Sequence, residues 1–226
     1  DQEIVRLTQA ITDGAQPDLV AFYDGTNEKF NKVARGHLHF QFERFKSLES
    51  NQLSTFDSVV DFILRYDYIH FAADSLFDLQ HQTVFEDLSQ DQEELKSRAN
   101  RMADRYRRNV DFVAKLGWAC EFETVHFWQP DLFNTGKKLT LEENRILDDV
   151  FNRQVVKAHQ IGDKAIAREM AGVTNFHDIS AALDGVEQSV FFDFCHVSAT
   201  ANRAIAMAIV DSLQQGGQLQ RAFVKW

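Results

Sequence analysis

The chain has 226 residues, 44% of them hydrophobic, which is enough to bury one sizeable core with a subdomain. Its formal net charge of −10, with no basic stripe, argues against nucleic acid as a partner. No apolar run approaches the length that spans a bilayer, so no transmembrane segment is expected in this chain.

Residues 2–12 set Ile4, Leu7 and Ile11 at helical spacing and predict a helix stopped at Asp13-Gly14. Pro17 opens a strand over Leu19–Tyr23, which runs into the glycine turn Asp24-Gly25-Thr26-Asn27-Glu28. From Lys29 to about His81 the chain is aromatic and charged at mixed spacings, and residues 30–90 predict a helical insert or lid within the domain. Leu95, Ala99, Met102, Tyr106, Val110 and Val113 recur at threes and fours, predicting a helix over Glu93–Leu116 with Gly117 as its stop. Ala119–Trp128 is apolar on both parities, as a fully covered parallel strand requires, and ends at Gln129-Pro130. Thr140-Leu141-Glu142-Glu143 is a capping box for a helix through about Lys157. A further helical stretch, Asp163–Met170, leads past a local cap at Asp178 to a last strand, Val190–Phe194. A closing helix spans Thr200 to Leu213. Cys120 and Cys195 fall in predicted buried strands and read as small core hydrophobes.

This alternation is that of a doubly wound α/β parallel sheet, whose ligands sit beyond the carboxyl ends of the strands. Asn27, Gln129 and His196 each follow a predicted strand, which puts three polar groups on one rim. Three strands are few for this length, so an N-terminal segment, or another chain supplying it, is expected beside them.

Two motifs carry chemistry. Asp193 precedes His196 by three residues at a predicted strand end, where the carboxylate can orient the imidazole and stabilise its charged form. Gly25-Thr26-Asn27-Glu28 offers an amide side chain from a glycine turn. Together they resemble the SGNH (GDSL-type) hydrolase family, with its G-x-N-[DE] strand end and its late D-x-x-H. Asn202-Arg203-Ala204-Ile205-Ala206 is similar to that family's closing helix. The resemblance covers roughly residues 1–28 and 105–215.

It implies one three-layer α/β/α flavodoxin-like domain over 1–226 with a helical insert, and a serine ester hydrolase acting on small acyl or O-acetyl esters. His196 and Asp193 are then the catalytic base and its carboxylate, and Asn27 the oxyanion donor. Gly25, Glu28 and Gln129 are possible pocket residues, with Glu28 bracing the loop. The family's Gly-Asp-Ser strand does not precede Asp24, so the domain is read as N-terminally incomplete. The nucleophile is then expected upstream or on a companion chain carrying the missing strands. The alternative is a non-catalytic binding or assembly module of the same fold. No cofactor and no metal are expected, and a secreted or periplasmic location is favoured.

Other candidates are weaker. Ala73-Asp74-Ser75-Leu76 mimics a nucleophile motif, but it follows the glycine turn instead of preceding it and lacks the glycine. His37-x-His39 has no third convergent ligand. His126 reads as a satisfied core histidine. No glycine-rich phosphate loop follows any strand, which disfavours a nucleotide binder.

Overall fold

The computed structural model describes residues 2–34 and 91–223. Ser75, His37, His39 and the expected insert from residue 35 onward lie outside the described residues. Helix α1 (Gln2–Thr12) uses its predicted stripe: Ile4, Leu7 and Ile11 pack with Val20 and Phe22 of strand β1 (Leu19–Asp24). Beyond β1, a one-turn helix α2 (Thr26–Glu28) continues as a π-helical turn over Lys29–Ala34.

Helix α3 (Gln92–Ala119) starts at Asp91, whose carboxylate accepts the Glu93 and Glu94 N–H groups. It does not stop at Gly117. A Cβ there would stand 2.7 Å from the Phe122 carbonyl oxygen and 2.8 Å from Thr124 Cγ2. The glycine therefore lets the last turn of α3 lie against strand β2 (Glu123–Trp128), which begins later than expected.

β2 is the central strand of a small three-stranded parallel sheet in a mixed α/β fold. It pairs β1 from Leu19 opposite Glu123 to Asp24 opposite Trp128. On its other side it pairs β3 (Phe176–Asp178), from His126 opposite Phe176 to Trp128 opposite Asp178. Thr124 to Trp128 are all buried, as an unbroken apolar strand demands. Val125 and Phe127 face a cluster with Ile179, Leu183, Ala201, Ile205 and Leu213. His126 and Trp128 instead meet the Tyr106 ring of α3. Helices thus cover both faces of the sheet.

The capping box forms: Thr140 Oγ1 accepts the Glu143 N–H while Glu143 accepts the Thr140 N–H. The helix expected through about Lys157 instead breaks at Asp148-Asp149, ending α4 (Leu141–Leu147), and α5 (Val150–Glu169) joins its second half to the stretch expected as a separate helix from Asp163. Asp178 accepts the Ser180 N–H and starts a 3-10 turn over Ser180–Leu183. Ser198 caps α6 (Ala199–Gln215), which is followed by α7 (Gln218–Phe223). Among the described residues no helix is long and apolar enough to cross a membrane.

The last strand is not where the apolar run predicts it. Val190–Phe194 is a bent loop closed by an isolated antiparallel bridge between Phe191 and Val197, and the third strand is Phe176–Asp178. The reason is local. The Glu143 carboxylate takes the N–H groups of Val190 (2.8 Å) and Phe191 (3.3 Å), so they cannot join a ladder. Val190 and Phe191 are buried by packing on the core cluster, not by strand pairing.

Candidate functional site

At the carboxyl end of β1 the chain turns through Gly25, whose φ of 150° suits glycine alone. A Cβ there would lie 2.8 Å from Gln129 Cγ. The close approach lets the Gln129 backbone N–H donate to the Asp24 carbonyl and its side-chain amide donate to Thr26 Oγ1. Gln129 therefore ties the ends of β1 and β2 together. Glu28 accepts the Gly25 N–H at 3.2 Å and braces the turn, as expected of it. Asn27 is exposed at the top of that turn.

A buried ion-pair network lies below. Lys29, with no exposed surface, places Nζ 2.6 Å from Asp131 Oδ2 and 2.7 Å from Asp163 Oδ1. Trp128 Nε1 donates to Asp163 Oδ1, and His159 Nδ1 lies 3.3 Å from Asp131 Oδ2. Asp131 Oδ1 accepts the N–H groups of Phe133 and Asn134, which shapes the turn after β2. Burial opposes ionisation of Asp131, but Lys29 and His159 outweigh it and hold the carboxyl well below its usual range. Burial lowers the His159 pKa, with the Asp131 carboxylate pulling the other way.

The third segment is the loop Val190–Val197. Asp193 Oδ1 accepts the N–H groups of Cys195 (2.8 Å) and His196 (2.7 Å), and Asp193 Oδ2 lies 2.6 Å from His196 Nδ1. Burial works against the Asp193 charge, yet these bonds prevail and its pKa falls. With Asp193 ionised, Nδ1 carries the shared proton and Nε2 presents its lone pair outward. The His196 side chain is 77% exposed.

Phe194 fastens this loop to the other two segments. Its carbonyl accepts the Leu132 N–H at 2.8 Å, and its ring stacks on Phe133 with centroids 5.6 Å apart. Phe30, three residues after Asn27, meets the same ring at 6.3 Å. The segments bearing Asn27, Gln129 and the Asp193–His196 pair therefore converge at the carboxyl end of the sheet. His196 arrives there on a bent loop and not, as expected, at a strand end.

Glu143 carries more than its place in the capping box suggests. Besides the Val190 and Phe191 N–H groups it binds Lys137 Nζ at 2.7 Å, and both side chains are fully buried. Burial alone would raise its pKa; Lys137 and the backbone N–H groups of Thr140, Val190 and Phe191 instead bring it down to about 2. Lys29 and Asp131 were equally hidden from a local reading, because each acts through a partner more than 100 positions away.

Two expectations are corrected. His126 is buried but not satisfied: both ring nitrogens lack a hydrogen-bond partner, and the ring stacks on Phe22 at 4.6 Å. Burial lowers its pKa to about 4. It lines a cavity of about 20 Å³ with Asp24, Tyr106 and Asn109, room for one water. The cysteines are free, but Cys120 is exposed in the cap of α3 and Cys195 is half-buried in the loop, so neither is a core residue. No family model, curated protein or solved structure matches the chain.

Proposed function

We propose that this chain carries the base and oxyanion half of a serine ester hydrolase site in a three-layer, flavodoxin-like domain of the SGNH type. The observation that carries the reading is the 2.6 Å contact between Asp193 Oδ2 and His196 Nδ1 on an open rim. Such a pair fixes the tautomer that leaves Nε2 free to accept a proton. Its place beyond the carboxyl ends of parallel strands is where such sheets bind ligands.

In this mechanism a serine hydroxyl from outside the chain attacks an ester carbonyl, and His196 Nε2 takes its proton. His196 then returns the proton to the leaving alcohol while Asp193 stabilises the imidazolium. Asn27 donates its side-chain N–H to the tetrahedral oxyanion, an interaction worth about 3 kcal/mol in comparable sites. The sequence contains no Gly-Asp-Ser, and among the described residues no serine hydroxyl is bonded to His196. An N-terminal segment or companion chain supplies the nucleophile. The substrates are small acyl or O-acetyl esters.

The test is turnover of a small acetyl ester by the protein together with its nucleophile segment, comparing wild type with His196→Ala. Loss of turnover in a variant with an unchanged circular dichroism spectrum is expected. Wild-type turnover in that variant removes the assignment, and a wild-type protein with no turnover favours the binding or assembly module.

A further inference from the structure

We propose that Asp193, Cys195 and His196 form an inhibitory site for a first-row divalent cation of the zinc type. Among the described residues, these are the one group of three metal-ligating side chains whose donor atoms all lie within 4.8 Å of one another. Cys195 Sγ stands 3.7 Å from His196 Nδ1, and Asp193 Oδ2 stands 2.6 Å from the same nitrogen. Zinc bonds of about 2.3 Å to sulfur and about 2.0 Å to nitrogen place tetrahedral ligands roughly 3.5 Å apart. The sulfur and nitrogen are therefore already at the right separation, and the carboxylate has to open by about 1 Å.

The loop is built to hold these atoms. Asp193 Oδ1 is occupied by the Cys195 and His196 N–H groups, which leaves Oδ2 as the ligand and supplies the outer hydrogen bonds that orient it. The Phe192 N–H donates to the His196 carbonyl and the Ser198 N–H to the Val190 carbonyl, closing the loop on itself. Glu143 anchors its start and Leu132 its middle. Exposure of the His196 ring leaves the remaining coordination positions open to water.

One nitrogen, one oxygen and one sulfur donor suit Zn²⁺ or Co²⁺ and not the oxygen-seeking Mg²⁺ and Ca²⁺. Zinc and cobalt are bound by the thiolate and not by the thiol, so the cation displaces the Cys195 thiol proton. Each ion bound therefore releases one proton to solvent, and affinity rises with pH. The imidazole stays neutral: its proton leaves Nδ1, which now holds the metal, and Nε2 carries one instead. An Nε2 that bears a proton cannot accept another. This inhibitory consequence rests on the ester-hydrolase reading, whereas the cation site itself does not.

The experiment has two arms. Co²⁺ is titrated into the chain near neutral pH and the thiolate-to-cobalt charge-transfer absorption is followed. The band is expected in wild type and in Cys120→Ser, absent in Cys195→Ser, and bleached by added Zn²⁺. No band in wild type, or a band that survives Cys195→Ser, overturns the site. In the second arm, Zn²⁺ is added to the protein turning over an acetyl ester with its nucleophile segment. Cys195→Ser is expected to raise the half-inhibiting Zn²⁺ concentration by about tenfold or more. A cobalt band with no inhibition overturns the regulatory role, while a cobalt band in a protein whose turnover survives His196→Ala sinks the hydrolase reading and leaves the site standing.

Discussion

Asp24 and Glu143 are both buried carboxyl groups within this fold, and their surroundings drive them in opposite directions. Burial, then Glu28 and Glu3, pushes Asp24 up to about 8, only partly relieved by the Tyr106 hydroxyl that donates to it at 3.0 Å. Between its unfolded value near 4 and about 8, the folded chain holds a proton that the unfolded chain has lost. Stability therefore falls as pH rises through that window and levels off above it. Denaturation midpoints of wild type and Asp24→Asn, taken across this range, should show the decline weakened in the variant; parallel profiles would refute the assignment. Glu143 behaves in the reverse sense, because its folded pKa of about 2 lies below the unfolded one. Its stabilisation is present above about 4.5 and is lost as pH falls toward 2. Glu143→Gln strands the buried Lys137 charge and should cost about 3 kcal/mol or more by chemical denaturation. A loss under about 1 kcal/mol would contradict the role given to it. Asn27 is exposed and lies outside both networks; if it is the oxyanion donor of the proposed mechanism, Asn27→Ala lowers kcat more than it raises KM, and the reverse pattern would make it a ground-state binder.

At the scale of elements, whatever depends on local periodicity was legible in the sequence. The stripe of α1, the threes and fours of α3 and the capping box of α4 each formed as read, because a helix buries one face whatever its neighbours do. The Asp193–His196 pairing and the Glu28 brace were legible for the same reason, spanning three residues each. The last strand was not. Val190–Phe194 has a strand's apolar character, but Glu143, 47 positions earlier, removes the N–H groups a ladder needs. Gly117 misled for a related reason: its missing Cβ accommodates Phe122 and Thr124, and a helix stop leaves the same mark in the sequence. Gly25 is the element junction most sensitive to change. Gly25→Ala meets both a positive φ and the Gln129 side chain, so it should cost on the order of 2 kcal/mol and part the ends of β1 and β2. A thermal melt checks the cost; a variant as stable as wild type would show that the turn relaxes freely.

For the whole molecule, a three-stranded parallel sheet with helices on both faces brings the Asn27 turn, the Gln129 crosslink and the Asp193–His196 loop to one rim. Two buried ammonium–carboxylate pairs, Lys29 with Asp131 and Lys137 with Glu143, hold that rim from below. Removing Lys29 or either partner of the Lys137–Glu143 pair strands a buried charge, so these positions tolerate substitution poorly, whereas Lys29 keeps Asp163 when Asp131 is lost. This frame presents an exposed imidazole oriented by Asp193, and among the described residues no serine hydroxyl is bonded to it. The most direct test is fluorophosphonate labelling of the natural protein, followed by peptide mapping of the labelled serine. The account predicts a label on a serine outside residues 1–226, lost in His196→Ala. A label on a serine within this chain, or one indifferent to His196, would contradict it.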